Sequence, residues 1–218
     1  MKNKRSIPFL ILIIAPLFTG CRESATAENK SPALQSIVSA GQKYVIETKE
    51  STVTWKGSML VGTNSHLGYV SISKGELMVD KGRITGGTVQ VDMNTIEDEK
   101  HESDNDLIKH LKDPDFFDVK KFPVATFAFY NSALAADGNK KITGKLTIKG
   151  ITKVVDFPAR TEVKDGIVKM NGRLAIDRTR WDVRYKSGKF YDLVADQTMS
   201  DSIEFHINIV AKNKLLVP

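Results

Sequence analysis

KITGKLTIKG, residues 141–150, puts Ile142, Gly144, Leu146 and Ile148 on one side of an extended chain. Lys141, Thr143, Lys145, Thr147 and Lys149 take the other side. Successive side chains of a strand point to opposite faces, so this alternation describes a half-buried strand with one wet face. DSIEFHINIVAK (201–212) repeats it, with Ile203, Phe205, Ile207 and Ile209 set against Glu204, His206 and Asn208. The same period aligns Val168, Met170, Gly172, Leu174 and Ile176, then Val89, Val91 and Met93, then Val155, Phe157 and Ala159. Turn signals separate these runs: Lys-Gly at 81–82, Asp-Gly-Asn at 137–139, Lys-Gly at 149–150 and Asp-Gly at 165–166. The pattern predicts an all-β domain over residues 43–213, with about eight to ten short strands closed as a barrel or packed as a sandwich.

One segment departs from this period. In IEDEKHESDNDLIKHLKD (96–113) Leu107, Ile108 and Leu111 fall at helical spacing, and Pro114 stops the run. Ser103 or Asp104 is the expected cap, because its side-chain oxygen can accept the orphan N–H groups of a first turn. Lys109, His110 and Lys112 near the far end suit the helix dipole. The following stretch, HLKDPDFFDVKKFPVATF (110–127), reads as helix exit, a turn carrying Phe116 and Phe117, and the entry to a strand at Pro123.

The first twenty residues differ from the rest. MKNKRS carries three cations, and IPFLILIIAPLF is apolar but broken by Pro8 and Pro16. That run falls short of the ~20 apolar residues of a membrane-spanning helix and has the layout of a secretory signal over residues 1–20. LFTGC ends in Cys21, the only cysteine of 218 residues, and resembles a bacterial lipobox. The resemblance implies cleavage before Cys21, acylation of that residue and a membrane anchor; the alternative is a free thiol. Residues 21–42 are small and polar and read as a tether, with room for a helical turn at 33–39. Arg22 after the lipidated position points to the outer rather than the inner membrane, so the expected location is the periplasm, membrane-anchored. Loss of residues 1–20 removes those three cations and no acid, which takes the net charge from +6 to +3. No basic face with interleaved aromatics is visible, and a nucleic-acid partner is not expected.

Four segments, HLGY (66–69), HLKDPDFFDVKKFPVATF (110–127), GKLTIKGITKVVDFP (144–158) and AIDRTRWDV (175–183), together resemble the YceI-like family. Their order is that of the family, and the resemblance covers nearly all of residues 43–212. It implies a lipocalin-like antiparallel β-barrel of about eight strands with a short α-helical insertion over one part of it. It also implies an exported bacterial protein that holds a long-chain lipid, polyisoprenoid or similar amphiphile, inside the barrel. Where many members carry Arg-Asp shortly before His-Leu, this chain has Leu107 and Ile108, so any polar contact made by that pair is in doubt. The residues expected at the ligand are Val91, Phe127, Phe129, Leu146, Ile148, Phe157, Leu174 and Phe205 on inward faces. His66 and Tyr69 of HLGY join them, His66 either orienting a headgroup or serving as a structural histidine. Phe116 and Phe117 either gate a barrel mouth or glue the helix to the barrel. Periodicity alone leaves a hollow barrel and a dry packed core both open.

Catalytic readings fail on their spacing. HES at 101–103 lacks the second histidine of a zinc helix, and the histidines at 66, 101, 110 and 206 show no ligand spacing. DPDFFD (113–118) lacks the glycine and terminal glutamate of a calcium loop. Ser71-Ile72-Ser73-Lys74 matches an acyltransferase motif without its partner motifs, inside strand sequence. The expectation is a non-enzymatic lipid-binding lipoprotein with no metal and no cofactor, its oligomeric state open and a dimer included. The second reading is an interaction lipoprotein with a filled barrel that works through its outer surface. If Cys21 carries the anchor, Cys21→Ser releases the protein into the soluble periplasmic fraction; unchanged membrane fractionation of that variant would sink the lipoprotein reading.

Overall fold

The structure, a computed structural model, describes residues 41–134 and 139–215. The proposed signal segment, Cys21, the tether up to residue 40 and the turn residues Asp137 and Gly138 lie outside the described residues. The elements in chain order are β1 (Gln42–Ile46), β2 (Thr52–Ser58), β3 (Ser65–Asp80), β4 (Arg83–Asp98), α1 (Asp106–Lys112), β5 (Val124–Leu134), β6 (Lys140–Ile148), β7 (Ile151–Lys164), β8 (Ile167–Asp177), a 3₁₀ helix (Arg178–Trp181) and β9 (Ser202–Lys212). Every strand pairing is antiparallel. Strands β2 to β9 follow one another around the wall, and β2 pairs with both β3 and β9, so the sheet closes on itself.

Nine strands make eight wall positions, because β1 and β2 share one. Both lie between β3 and β9: Val45 faces Glu76 and Lys212, while Thr54 faces Tyr69 and His206. The chain breaks between them at residues 47–51, and the buried Ser51 repairs the gap. Its hydroxyl donates to Val210 O at 3.3 Å and accepts from Val210 N at 3.0 Å, while Glu47 N donates to the same carbonyl at 2.8 Å. A side chain thus supplies the ladder bonds that the interrupted strand cannot.

Three hairpins close with two-residue turns. Lys81–Gly82, Lys149–Gly150 and Asp165–Gly166 all have positive φ at both positions, the type I′ geometry that matches strand twist; of these, the first and third lie at the same end as the start of β1. Leu77, Ile142, Val168 and Ala211 are fully buried there and plug the barrel. The opposite end is the open one, and every long connection lies over it: residues 59–64, the α1 segment and residues 178–201. Asn105, rather than Ser103 or Asp104, caps α1. Its Oδ1 accepts from Ile108 N at 2.9 Å, and its Nδ2 donates to Asp98 at 2.8 Å. That register buries Ile108 and Leu111.

The segment DRTRWDVRY, whose role the sequence leaves unassigned, works as a clasp. Arg178 is 1% exposed; its Nε donates to Ser200 O at 3.0 Å and its Nη1 to Val183 O at 2.9 Å. Nη2 stands 3.5 Å from Asp201. Burial lowers the guanidinium pKa, opposed in part by the charges of Asp201 and Asp177, and an arginine stays charged under both. Trp181, fully buried, donates from Nε1 to Leu146 O at 3.2 Å, which fixes the clasp to β6. Burial works against ionisation of Asp177, but bonds from Lys189 and Thr179 outweigh it and hold its pKa below the ordinary value. Its contribution to stability is therefore present at neutral pH and is lost as pH falls through that lowered pKa. Arg178→Met leaves the Ser200 and Val183 carbonyls without their donor and takes from Asp201 one of its two cations, Lys189 at 3.3 Å being the other. It is expected to cost roughly 3 kcal/mol, read as a lower urea midpoint, and a midpoint like that of the parent would show that the clasp carries no stability.

Candidate ligand cavity

Inward side chains do not fill the barrel. A cavity of about 140 Å³ runs from Met170 and Ile209 toward Leu111 and Phe117 under the helix turn. Its lining is hydrocarbon apart from the thioethers of Met93 and Met170 and the indole of Trp55. The indole N–H is turned to Tyr69 O at 3.3 Å. Such a space offers a ligand no fixed polar partner, so it selects by shape and apolar area, worth ~0.8 kcal/mol for each buried CH₂. Its volume is close to that of a dry cavity that accepts benzene, and below the ~300–1,000 Å³ of ordinary ligand pockets. It fits one slim stretch of hydrocarbon. Met93 and Met170 are the flexible, unbranched side chains in the wall that can yield to more.

Aromatic rings keep the axis clear by lying over glycines on the adjacent strand. Trp55 covers Gly68, Phe129 covers Gly87, Phe127 covers Gly144 and Phe157 covers Gly172. A Cβ at Gly144 would stand 2.5 Å from Phe127, and one at Gly172 would stand 2.7 Å from Phe157. Gly57 is different. It lines the cavity near the end of β2, and a Cβ built on it meets nothing within 4 Å. The cavity reaches open space there.

Of the residues the sequence singled out, Val91, Phe117, Phe127, Leu146, Ile148, Phe157, Leu174 and Phe205 line the cavity. Phe129 lies deeper in the barrel, against Gly87 and 6.5 Å from Phe127. The adjacent phenylalanines part company. Phe117 is a cavity wall, whereas Phe116 is 1% exposed behind it, packed on His110, Phe117, Tyr185 and the Arg178 guanidinium. The expected ligand contact from Phe116 is replaced by a structural one. His66 pairs with Gly57, so it shares the inward face of β3 but stands exposed at the rim. Tyr69 does not face the ligand space: it has the opposite parity to Gly68 and Val70 and stacks on His101 at 4.7 Å on the outer wall. Sequence reasoning missed Gly57, Trp55 and Leu111 as wall residues; the pairing of β2 with β9 was needed to place the first two.

Among the described residues one group has the spacing to hold a metal ion: donor atoms of His110, Asp113 and Asp115 lie within 4.8 Å of one another at the exit of α1. The helix brings together residues that the histidine spacing alone did not join. His110 Nε2 has no hydrogen-bond partner and stands 4.0 Å from Asp115, but both carboxylates are exposed and the group is not part of the cavity lining.

The model of the YceI-like domain matches residues 44–211. A UPF0312 protein of Shewanella denitrificans is 33% identical over 124 residues, covering 54% of this chain and 61% of that protein. The chain thus spans less than two thirds of the length of the curated relatives it matches first. In three dimensions it is similar to BcnA of Burkholderia cenocepacia, with a TM-score of 0.63 and 22% identity over 77% of this chain and 99% of that one. It is also similar to a polyisoprenoid binding domain from Saccharophagus degradans, with a TM-score of 0.56 and 12% identity over 78% and 98% of the two chains. These structures share the closed eight-position antiparallel barrel with one short helix.

Side chains added at Gly57 and at Gly68 have opposite expected effects on stability. Gly57→Phe puts a ring into open space at the cavity end, so its thermal midpoint stays near that of the parent while uptake of the hydrophobic dye N-phenyl-1-naphthylamine falls. Gly68→Ala drives a Cβ into Glu97 O and the Trp55 ring, an overpacking that costs ~1–3 kcal/mol. Undiminished dye uptake by Gly57→Phe would show that entry lies elsewhere.

Proposed function

Because this chain belongs to the YceI-like domain family, we propose that its barrel binds the apolar chain of a long amphiphilic lipid, a polyisoprenoid, an isoprenoid quinone or a fatty-acid derivative. In this reading the protein holds and carries that lipid without changing it chemically. The observation that carries the proposal is the cavity itself, apolar along its length and reaching open space at Gly57. A chain enters at that end, displaces no ordered polar partner, and leaves its polar head at the rim beside His66. The similarity to a domain described as polyisoprenoid binding supports the ligand class. Acylation at Cys21 would hold the protein on the periplasmic face of a membrane, where such lipids reside. Several acyl chains anchor stably where one binds only marginally.

The small cavity volume favours a second reading, a barrel so nearly filled by its own side chains that it acts through its outer surface. One experiment separates the two. Protein purified from its native membrane is extracted into organic solvent and the extract analysed by mass spectrometry, alongside titration of the delipidated protein with a polyprenol. The expected result is one lipid species near equal molar amount and saturable polyprenol uptake. An extract holding only bulk phospholipid, together with no uptake, would leave the filled-barrel reading standing.

A further inference from the structure

Resting on that reading, we propose that the open end of the barrel is a bilayer-docking face, so that a lipid chain passes between membrane and cavity without crossing water. Five large apolar side chains stand exposed on two loops of this end: Leu60 57%, Val61 48%, Phe190 46%, Tyr191 50% and Val194 63%. The loops are tied to each other. Leu60 N donates to Thr198 O at 2.8 Å, Ser200 N donates to Ser58 O at 2.9 Å, and Met59 bridges Met199. Ser58 follows Gly57, so the patch begins where the cavity meets open space. Exposed apolar groups gathered on one face of a folded domain mark a contact surface. Their continuity with an apolar cavity fits hydrocarbon better than a second protein, which would cap the opening.

The charges around the patch point to the same occupant. Arg184 lies over Phe190 at 4.7 Å, an amphipathic pair that places the ring in the apolar layer and the cation at phosphate level. Cations and acids of residues 178–201 nearly cancel, so docking depends on apolar insertion and needs no anionic lipid. Chain length permits the orientation. β1 begins at Gln42, paired with Val79 at the plugged end. Cys21 lies twenty residue steps before Gly41, a span of about 65–70 Å when extended, against about 36 Å for an eleven-residue strand such as β8. An anchor at Cys21 therefore leaves the open end free to face the bilayer.

The test uses the full chain and vesicles of phosphatidylcholine with brominated acyl chains. Tyr191→Trp reports on the open end, and Leu215→Trp, 94% exposed near the plugged end, carries the same anchor. Quenching at position 191 is expected to exceed that at 215 several-fold and to persist in 1 M NaCl. Equal quenching at the two positions, or none at 191, overturns the proposal. The triple variant Phe190→Ser, Tyr191→Ser, Val194→Ser, altered only at exposed positions, is expected to keep the parent's uptake of N-phenyl-1-naphthylamine from water. Its extraction of that dye from vesicles falls roughly tenfold, and an unchanged extraction rate also overturns docking. If the parent takes up no dye from water, the cavity reading fails instead, and the quenching comparison still decides docking.

Discussion

In a barrel of eight wall positions, side chains from facing strands compete for one narrow axis, and most such barrels settle the contest by filling it or by leaving one small ligand space. Here the contest is settled at the wall. Trp55, Phe127, Phe129 and Phe157 each take the place of a missing Cβ on the next strand, so four bulky rings consume little of the axial space. Remove the glycines and the rings would have to turn inward, closing the cavity. The apolar space, its length and its single glycine without a covering ring all follow from that tiling.

The two ends of the molecule divide labour along the same lines. Tight turns and fully buried aliphatic residues close one end. The other carries connections long enough to bury an arginine and a tryptophan and to form a short helix. The buried guanidinium ties Val183, Ser200 and Asp201 together, so the exposed part of that connection hangs from a fixed base. A rim with a rigid root and an apolar edge is a suitable border for a space that must admit hydrocarbon and exclude solvent.

Much of this was legible in the sequence, and what was not has identifiable causes. The alternation in residues 141–149 reproduces the burial of β6 because each inward position is apolar and each outward one is polar. The break between β1 and β2 left no sign, since residues 47–51 contain no glycine or proline and the repair comes from Val210, 159 residues away from Ser51. Ser103, Asp104 and Asn105 are all good caps, and only the burial of Ile108 and Leu111 chooses among them. Phe116 and Phe117 are adjacent on a turn, where no period exists to say which faces in. Tyr69 was assigned to the ligand by its motif, although its parity with Gly68 and Val70 already turned it outward. The charge-rich run that holds Arg178 had no assignable role, because the acceptors of its guanidinium come from the far side of its own loop.

The shared wall position of β1 and β2 has a consequence for how this chain folds. Both segments wait for β9, the last strand in chain order, to supply their second neighbour. The hairpins from β3 to β8 can form by local pairing, but closure joins residues more than 150 positions apart, as Ser51 and Val210 show. Folding governed by such distant contacts belongs to the slow regime, on the order of milliseconds to seconds. Until β9 arrives, β8 and β2 are bare edges and the hydrocarbon interior is wet, which is the state most prone to pair with other chains. The architecture that leaves room inside the finished barrel is thus the one that leaves the growing chain exposed longest.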